Sequence, residues 1–270
     1  MIRTDCHIHS DFSGDCHVPM ERMVREGICK GLTVMCFTEH LDLDFPEESG
    51  MIFSLDVEKY QEAFTRMKEK YQRQIELLFG IEIGLQPHLQ AVHEKLTGQY
   101  PFDFVIGSRH LLLGQDPCVP EVFASDTQEA LYRRYFCEIK ENLQTFSNVD
   151  ACGHMDYIVR YGPQKNQGYT YEVYKEEIDE ILNLLLDKQI ALEINSSGYK
   201  YGLGHPHPLP QILKRYRKLG GELLTIGSDA HEPQHLAYDF NRIKEVLWDS
   251  GFHHYTVFRQ RKPSFVRLSF

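Results

Sequence analysis

Strand-like and helix-like stretches alternate about seven times along this chain, and few folds accept that order. Apolar, strand-like runs fall near residues 3–7, 32–38, 77–83, 104–106, 149–152, 190–194 and 222–226. Helical spacing fills the intervals. Met20, Met23, Val24 and Ile28 share a face before a stop at Gly31, and Val57, Tyr60, Phe64, Met67 and Tyr71 form a stripe behind an Asp56 N-cap. Further helices are expected near 87–96, 126–146, 172–188, 209–219 and 240–250, with a last strand at 255–259. Such alternation predicts parallel βα units wound into a barrel. The 270 residues match the roughly 250 that a barrel of this kind needs. No repeat, low-complexity tract or linker divides the chain, so residues 1–270 read as one domain.

The unusual polar residues recur where these strands end. His7 and His9 close the first strand and, two apart, share a face. His17 follows past a turn, and His40 lies just past the second strand. Glu82 sits inside the third, between Ile81 and Ile83, where a carboxylate is costly to bury unless it is paired or metal-bound. His110 and His154 follow the fourth and fifth strands, Asn195 ends the sixth, and Asp229 and His231 follow the seventh. Active groups of α/β barrels gather at the C-terminal strand ends, so one mouth would collect seven His, one Glu and one Asp. Imidazole and carboxylate without thiolate suit Zn, Mn or Fe, and so many ligands suggest two or three ions. A multi-metal site suits phosphoryl chemistry, because it neutralises phosphate charge and activates water.

Charge and cysteine usage narrow the class. The net charge is −10, from 39 acidic against 29 basic residues, which disfavours nucleic acid as a partner. Seven scattered cysteines with no C-x-x-C pair fit a reducing cytoplasm rather than a disulfide framework. The N-terminus does not read as a signal peptide, and no apolar run approaches the roughly 18 residues that span a bilayer.

His7-Ile8-His9, His17, Thr38-Glu39-His40, Glu82, Ser108-Arg109-His110, Gly153-His154 and Gly227-Ser228-Asp229-Ala230-His231 together resemble the PHP (polymerase and histidinol phosphatase) superfamily. Within it the chain is most similar to the stand-alone histidinol-phosphate phosphatases, from Asp5 to about Gly251. The resemblance implies a distorted seven-stranded, TIM-like (β/α)7 barrel with three divalent metals at the C-terminal strand ends. His7, His9, Glu82 and Asp229 would hold the first; Glu82, His110 and His154 the second; His17, His40 and His231 the third.

The reaction implied is direct hydrolysis of L-histidinol phosphate, without a phosphoenzyme, in histidine synthesis. Asp229 would take the nucleophile's proton, and His231 or His40 would help protonate the leaving oxygen. Arg160 is the candidate phosphate clamp and Arg109 a second candidate. Glu39, Asp42 and Asp44, in an acidic stretch with Glu47 and Glu48, read either as receivers of a substrate amine or as an acidic surface loop. His205 and His207, each followed by proline, read as loop residues near the mouth. Trp248, Tyr132, Tyr135 and Tyr174 read as packing. Competing readings are another hydrolase of the superfamily (a nucleotide, sugar-phosphate or phosphotyrosine phosphatase, or a nuclease) and a non-catalytic metal-binding domain.

Overall fold

The apolar runs become seven parallel strands in a computed structural model that describes residues 1–46, 50 and 52–269. They are β1 (Thr4–Ile8), β2 (Val34–Leu41), β3 (Glu76–Gly84), β4 (Phe104–Ser108), β5 (Ala151–Cys152), β6 (Ala191–Asn195) and β7 (Leu224–Gly227). Each pairs in parallel with the next, in sequence order. Nearly every strand residue is buried, which is why the runs read as continuous rather than alternating. The sheet curls back on itself. Asp229 N donates to His7 O at 2.9 Å, His9 N donates to Ala230 O at 3.0 Å, and Ile8 bridges Ala230. The closure is distorted: β5 has only two residues, and the β1–β2 register shifts between Asp5 and Ile8.

The outer layer holds α1 (Met20–Cys29), α2 (Val57–Tyr71), α3 (Gln90–Gln99), α4 (Gln128–Thr145), α5 (Lys175–Lys188), α6 (Ser197–Lys200), α7 (Pro210–Lys218) and α8 (Phe240–Asp249). Asp56 caps α2, its side chain accepting from Lys59 N at 3.1 Å. Tyr60 anchors that helix by donating to Phe37 O at 2.9 Å and Gly80 O at 3.0 Å. Tyr132, Tyr135 and Tyr174 are buried in the core, whereas Trp248 is 43% exposed against His253. No described helix is long and apolar enough to cross a membrane.

The chain ends differently from the sequence expectation. Instead of one strand there is an antiparallel hairpin, β8 (His254–Arg259) and β9 (Lys262–Arg267). Both turn residues, Gln260 and Arg261, have positive φ, the geometry usually signalled by Asn-Gly, so this turn left no such signal. The hairpin floors the barrel. Arg259 binds Glu76 at 2.6 and 2.7 Å, Arg261 pairs with Asp150, and Gln260 N donates to Asp103 at 3.0 Å. With the N-terminal end shut, the C-terminal end is the open one.

Candidate metal centre

At that open end, five strands or the residues just past them deliver side chains around Glu82 of β3. The Glu82 side chain is fully buried. Its Oε2 lies 3.1 Å from His7 Nε2, 3.6 Å from His9 Nε2 and 3.1 Å from His40 Nδ1. Its Oε1 lies 3.2 Å from His110 Nε2 and 3.0 Å from His154 Nε2, and accepts from Ser108 Oγ at 2.6 Å. Asp229 joins from β7, with Oδ1 3.5 Å from His9 Nε2, 3.6 Å from His231 Nδ1 and 3.9 Å from His7 Nε2. The rings of His40 and His231 each stack on His9 at 4.2 Å between centroids.

The donor set fits cations. Four overlapping groups each place their ligand atoms within 4.8 Å of one another: His7, His9 and Glu82; Glu82, His110 and His154; His9, His40 and His231; His40, Asp42 and His110. Several of the converging buried atoms, among them His9 Nε2, His40 Nδ1 and Asp42 Oδ2, stand near other polar atoms without making a hydrogen bond of good geometry. Leaving one such group unpaired costs about 1–3 kcal/mol, so a cluster of them marks a place built for an ion.

The far nitrogens of three rings are held so that Nε2 faces the centre. His7 Nδ1 donates to Glu193 Oε1 at 2.7 Å, and His110 Nδ1 donates to Asp42 Oδ1 at 2.5 Å. His9 Nδ1 donates to Ser13 Oγ at 3.1 Å; that hydroxyl also accepts from His40 N at 3.0 Å and donates to Glu39 at 2.6 Å. Glu39 is therefore no surface acid. It is buried among Ser10 and Ser13, and burial pushes its pKa up. Asp42 lines the cavity, Asp44 is exposed beside His88, and Glu47 and Glu48 lie outside the described residues.

Two sequence assignments need correction. His17 does not join the cluster: it is exposed, because tight turns at residues 10–16 point Asp15 and Cys16 inward instead. Asp15 Oδ2 stands 3.0 Å from His231 Nε2 and 3.7 Å from His40 Nε2, where His17 was expected. Arg109 does not reach the mouth. One residue before His110, it turns to the outer layer, donating to Glu138 at 2.6 Å and Leu85 O at 3.2 Å. His205 and His207 are buried rather than lining the mouth, His207 pairing with Asp156.

A cavity of about 450 Å³ opens over the cluster. Arg160 lines it, buried between the faces of Tyr157 and Tyr201, each 4.2 Å from the guanidinium, with one nitrogen 3.5 Å from Asp229 Oδ2. Lys200, Phe45, Phe53, Tyr161, Asp116 and Glu232 complete much of its wall. Sequence reasoning missed Glu193, although Glu193 carries the signal that exposed Glu82: a carboxylate between Leu192 and Ile194 in an apolar strand. Nothing in the spacing singled out Asp15 or Lys200.

Electrostatics couple this cluster to pH. Burial lowers the pKa of His40, but Glu82, Asp15 and Asp42 outweigh it and raise it to about 9. His110 likewise reaches about 10 against burial, through Asp42 and Glu82. Both lie above the unfolded value of about 6.5, so their stabilisation is complete below about pH 6.5 and is lost as pH rises through 9 to 10. Asp5, raised by burial to about 6, titrates below this window. Metal-free protein should therefore lose resistance to urea between pH 6.5 and pH 10. Zinc added at pH 8 should release protons from these rings, seen as a buffer-dependent heat of binding. A urea midpoint that rises toward pH 10, or a buffer-independent heat, would contradict this.

Comparisons with known proteins agree with the geometry. The PHP domain family model matches residues 5–197. The chain is 31% identical over 264 residues to a histidinol-phosphatase of Lactococcus lactis subsp. lactis, covering 97% of this chain and 96% of that one. It is 31% identical over 236 residues to a probable histidinol-phosphatase of Clostridium acetobutylicum, covering 87% and 89%. The crystal structure of the Lactococcus lactis histidinol phosphate phosphatase, complexed with zinc, L-histidinol and phosphate, matches with a TM-score of 0.88. The identity there is 29%, over 97% of this chain and 98% of that one.

Proposed function

Because this chain belongs to the PHP domain family, we propose that it is a metal-dependent phosphomonoesterase that hydrolyses L-histidinol phosphate to L-histidinol and phosphate. One observation carries the reading. Five imidazoles converge on buried Glu82 under a cavity holding Arg160, in a fold matching a relative that binds zinc, L-histidinol and phosphate.

His7, His9, Glu82 and Asp229 would hold one ion, Glu82 with His110 and His154 a second, and Asp15, His40 and His231 a third. Bound divalent ions supply charge neutralisation at the phosphoryl group and a nucleophile from water near neutral pH. Arg160, pre-set between two tyrosine faces, pairs with phosphate oxygens, and Lys200 adds a second positive charge to the same cavity. Asp229, with Oδ1 toward His9 and Oδ2 toward Arg160, stands where it can take the proton of the attacking water. His231, 20% exposed and on the cavity wall, would face the third ion through Nε2, with Nδ1 donating to Asp229 O at 3.1 Å. Asp116, Glu232 and the rings of Phe45, Phe53 and Tyr161 suit an organic group carrying an amine and an imidazole.

The test is phosphate release by metal-loaded protein from L-histidinol phosphate, nucleoside monophosphates, sugar phosphates, phosphotyrosine and single-stranded DNA. The expected result is the highest kcat/KM on L-histidinol phosphate. A higher value on any other substrate overturns the proposal.

A further inference from the structure

We infer that Glu193 is a positioning residue that fixes the tautomer of His7 and so sets the metal affinity of the site; this rests on the metal reading above. Glu193 leaves β6 and reaches past β7 to β1, with only 1% of its surface exposed. Neither oxygen is spare. Oε1 accepts from His7 Nδ1 at 2.7 Å, while Oε2 accepts from His154 N at 2.7 Å and Asn195 Nδ2 at 3.2 Å. The carboxylate thus ties two histidines of the cluster together, one by its ring and one by its backbone.

The intervening strand makes room for this contact. A Cβ on Gly227 would stand 2.5 Å from Glu193 Oε1 and 2.4 Å from His7 Cβ, so no side chain fits between them. Unlike Asp42, which lines the cavity and stands beside His40, Glu193 is shut behind His7 with no route to substrate. Its influence must pass through the His7 ring and the His154 backbone. With the proton held on Nδ1, the Nε2 lone pair points toward Glu82, 3.1 Å away, ready for a cation.

Glutamine at this position would invert that arrangement. Its carbonyl oxygen has to serve the His154 N–H and the Asn195 amide, both donors. Its NH2 then faces His7 Nδ1, and an NH2 cannot accept. His7 would have to carry its proton on Nε2, the atom the metal needs.

The experiment is zinc titration of metal-free wild-type and Glu193→Gln protein against a competing chelator, with 15N-histidine NMR of the zinc-loaded forms. One zinc equivalent should bind roughly 10–100-fold more weakly in the variant. The hydrogen-bonded Nδ1 proton signal of His7 should be present in wild type and absent in Glu193→Gln. A shared loss of packing would weaken folding without selectively removing that signal. Unchanged affinity, or a His7 Nδ1 signal that persists in the variant, overturns the inference. The wild-type protein carries the test alone if the variant does not fold: zinc-loaded protein lacking the His7 Nδ1 signal also overturns it. Wild-type protein that takes up no zinc refutes instead the reading under "Proposed function", and this inference falls with it.

Discussion

Glu82→Gln should lower kcat with L-histidinol phosphate by at least about 10³-fold and strip the protein of most of its bound metal. The carboxylate has no solvent contact, and its two oxygens face five ring nitrogens at 3.0–3.6 Å. Burial would raise its pKa, but the surrounding histidines hold it well below the carboxylate range, so it is a fixed negative charge. The amide keeps the shape and removes that charge, so cations gathered there would repel one another in a water-excluded site. Losing one electrostatic partner in such a site typically costs about 10²–10³ in rate, and a group shared between ions should cost the upper part of that range or more. Elemental analysis and kinetics on the same preparation check both effects. Full metal content with normal kcat would remove Glu82 from the centre of the account.

Arg160→Lys should reduce kcat/KM by about 10²–10³-fold while leaving metal content unchanged. The guanidinium packs 4.2 Å from both Tyr157 and Tyr201 and approaches Asp229 and Ser197 at 3.5 Å. A charge-assisted hydrogen bond contributes about 1.5–3 kcal/mol, so losing a two-pronged grip on phosphate reaches the quoted range. Lysine keeps the charge but neither forks nor stacks as a plane, so it should recover little. The metal count separates this defect from that of Glu82→Gln. Wild-type kcat/KM in Arg160→Lys would assign the phosphate to other cations, with Lys200 the first candidate.

How far the sequence reveals this molecule depends on the kind of signal each residue leaves. The strands were legible because both faces are buried and the runs are continuously apolar, as in β2, β3 and β6. His7, His9, His40, His110, His154, Asp229 and His231 stood out because each lies at or just past the C-terminal end of a strand, and Glu82 because it interrupts an apolar one. His17 misled for a local reason. Between Ser10 and Met20 the chain turns too tightly for spacing to say which side chain faces inward, and Asp15 does. Arg109 misled because its neighbour His110 faces the mouth, which sends Arg109 the other way onto Glu138. The hairpin ending in β9 hid behind an alternating, largely exposed strand and a Gln-Arg turn. Tyr157 is a local neighbour of Arg160, but Lys200 and Tyr201 reach it only through tertiary folding of a separate segment, which no local pattern encodes.

A single cage of dispersed imidazoles and acids around Glu82 has to show itself in where bound cations sit. X-ray diffraction from crystals of metal-loaded protein, collected at the absorption edge of the bound metal, tests it most directly. Two or three anomalous peaks are expected at the barrel mouth, at least two of them about 2.0–2.2 Å from a Glu82 oxygen. Peaks confined to outlying histidines such as His17 or His253, with none beside Glu82, would contradict it.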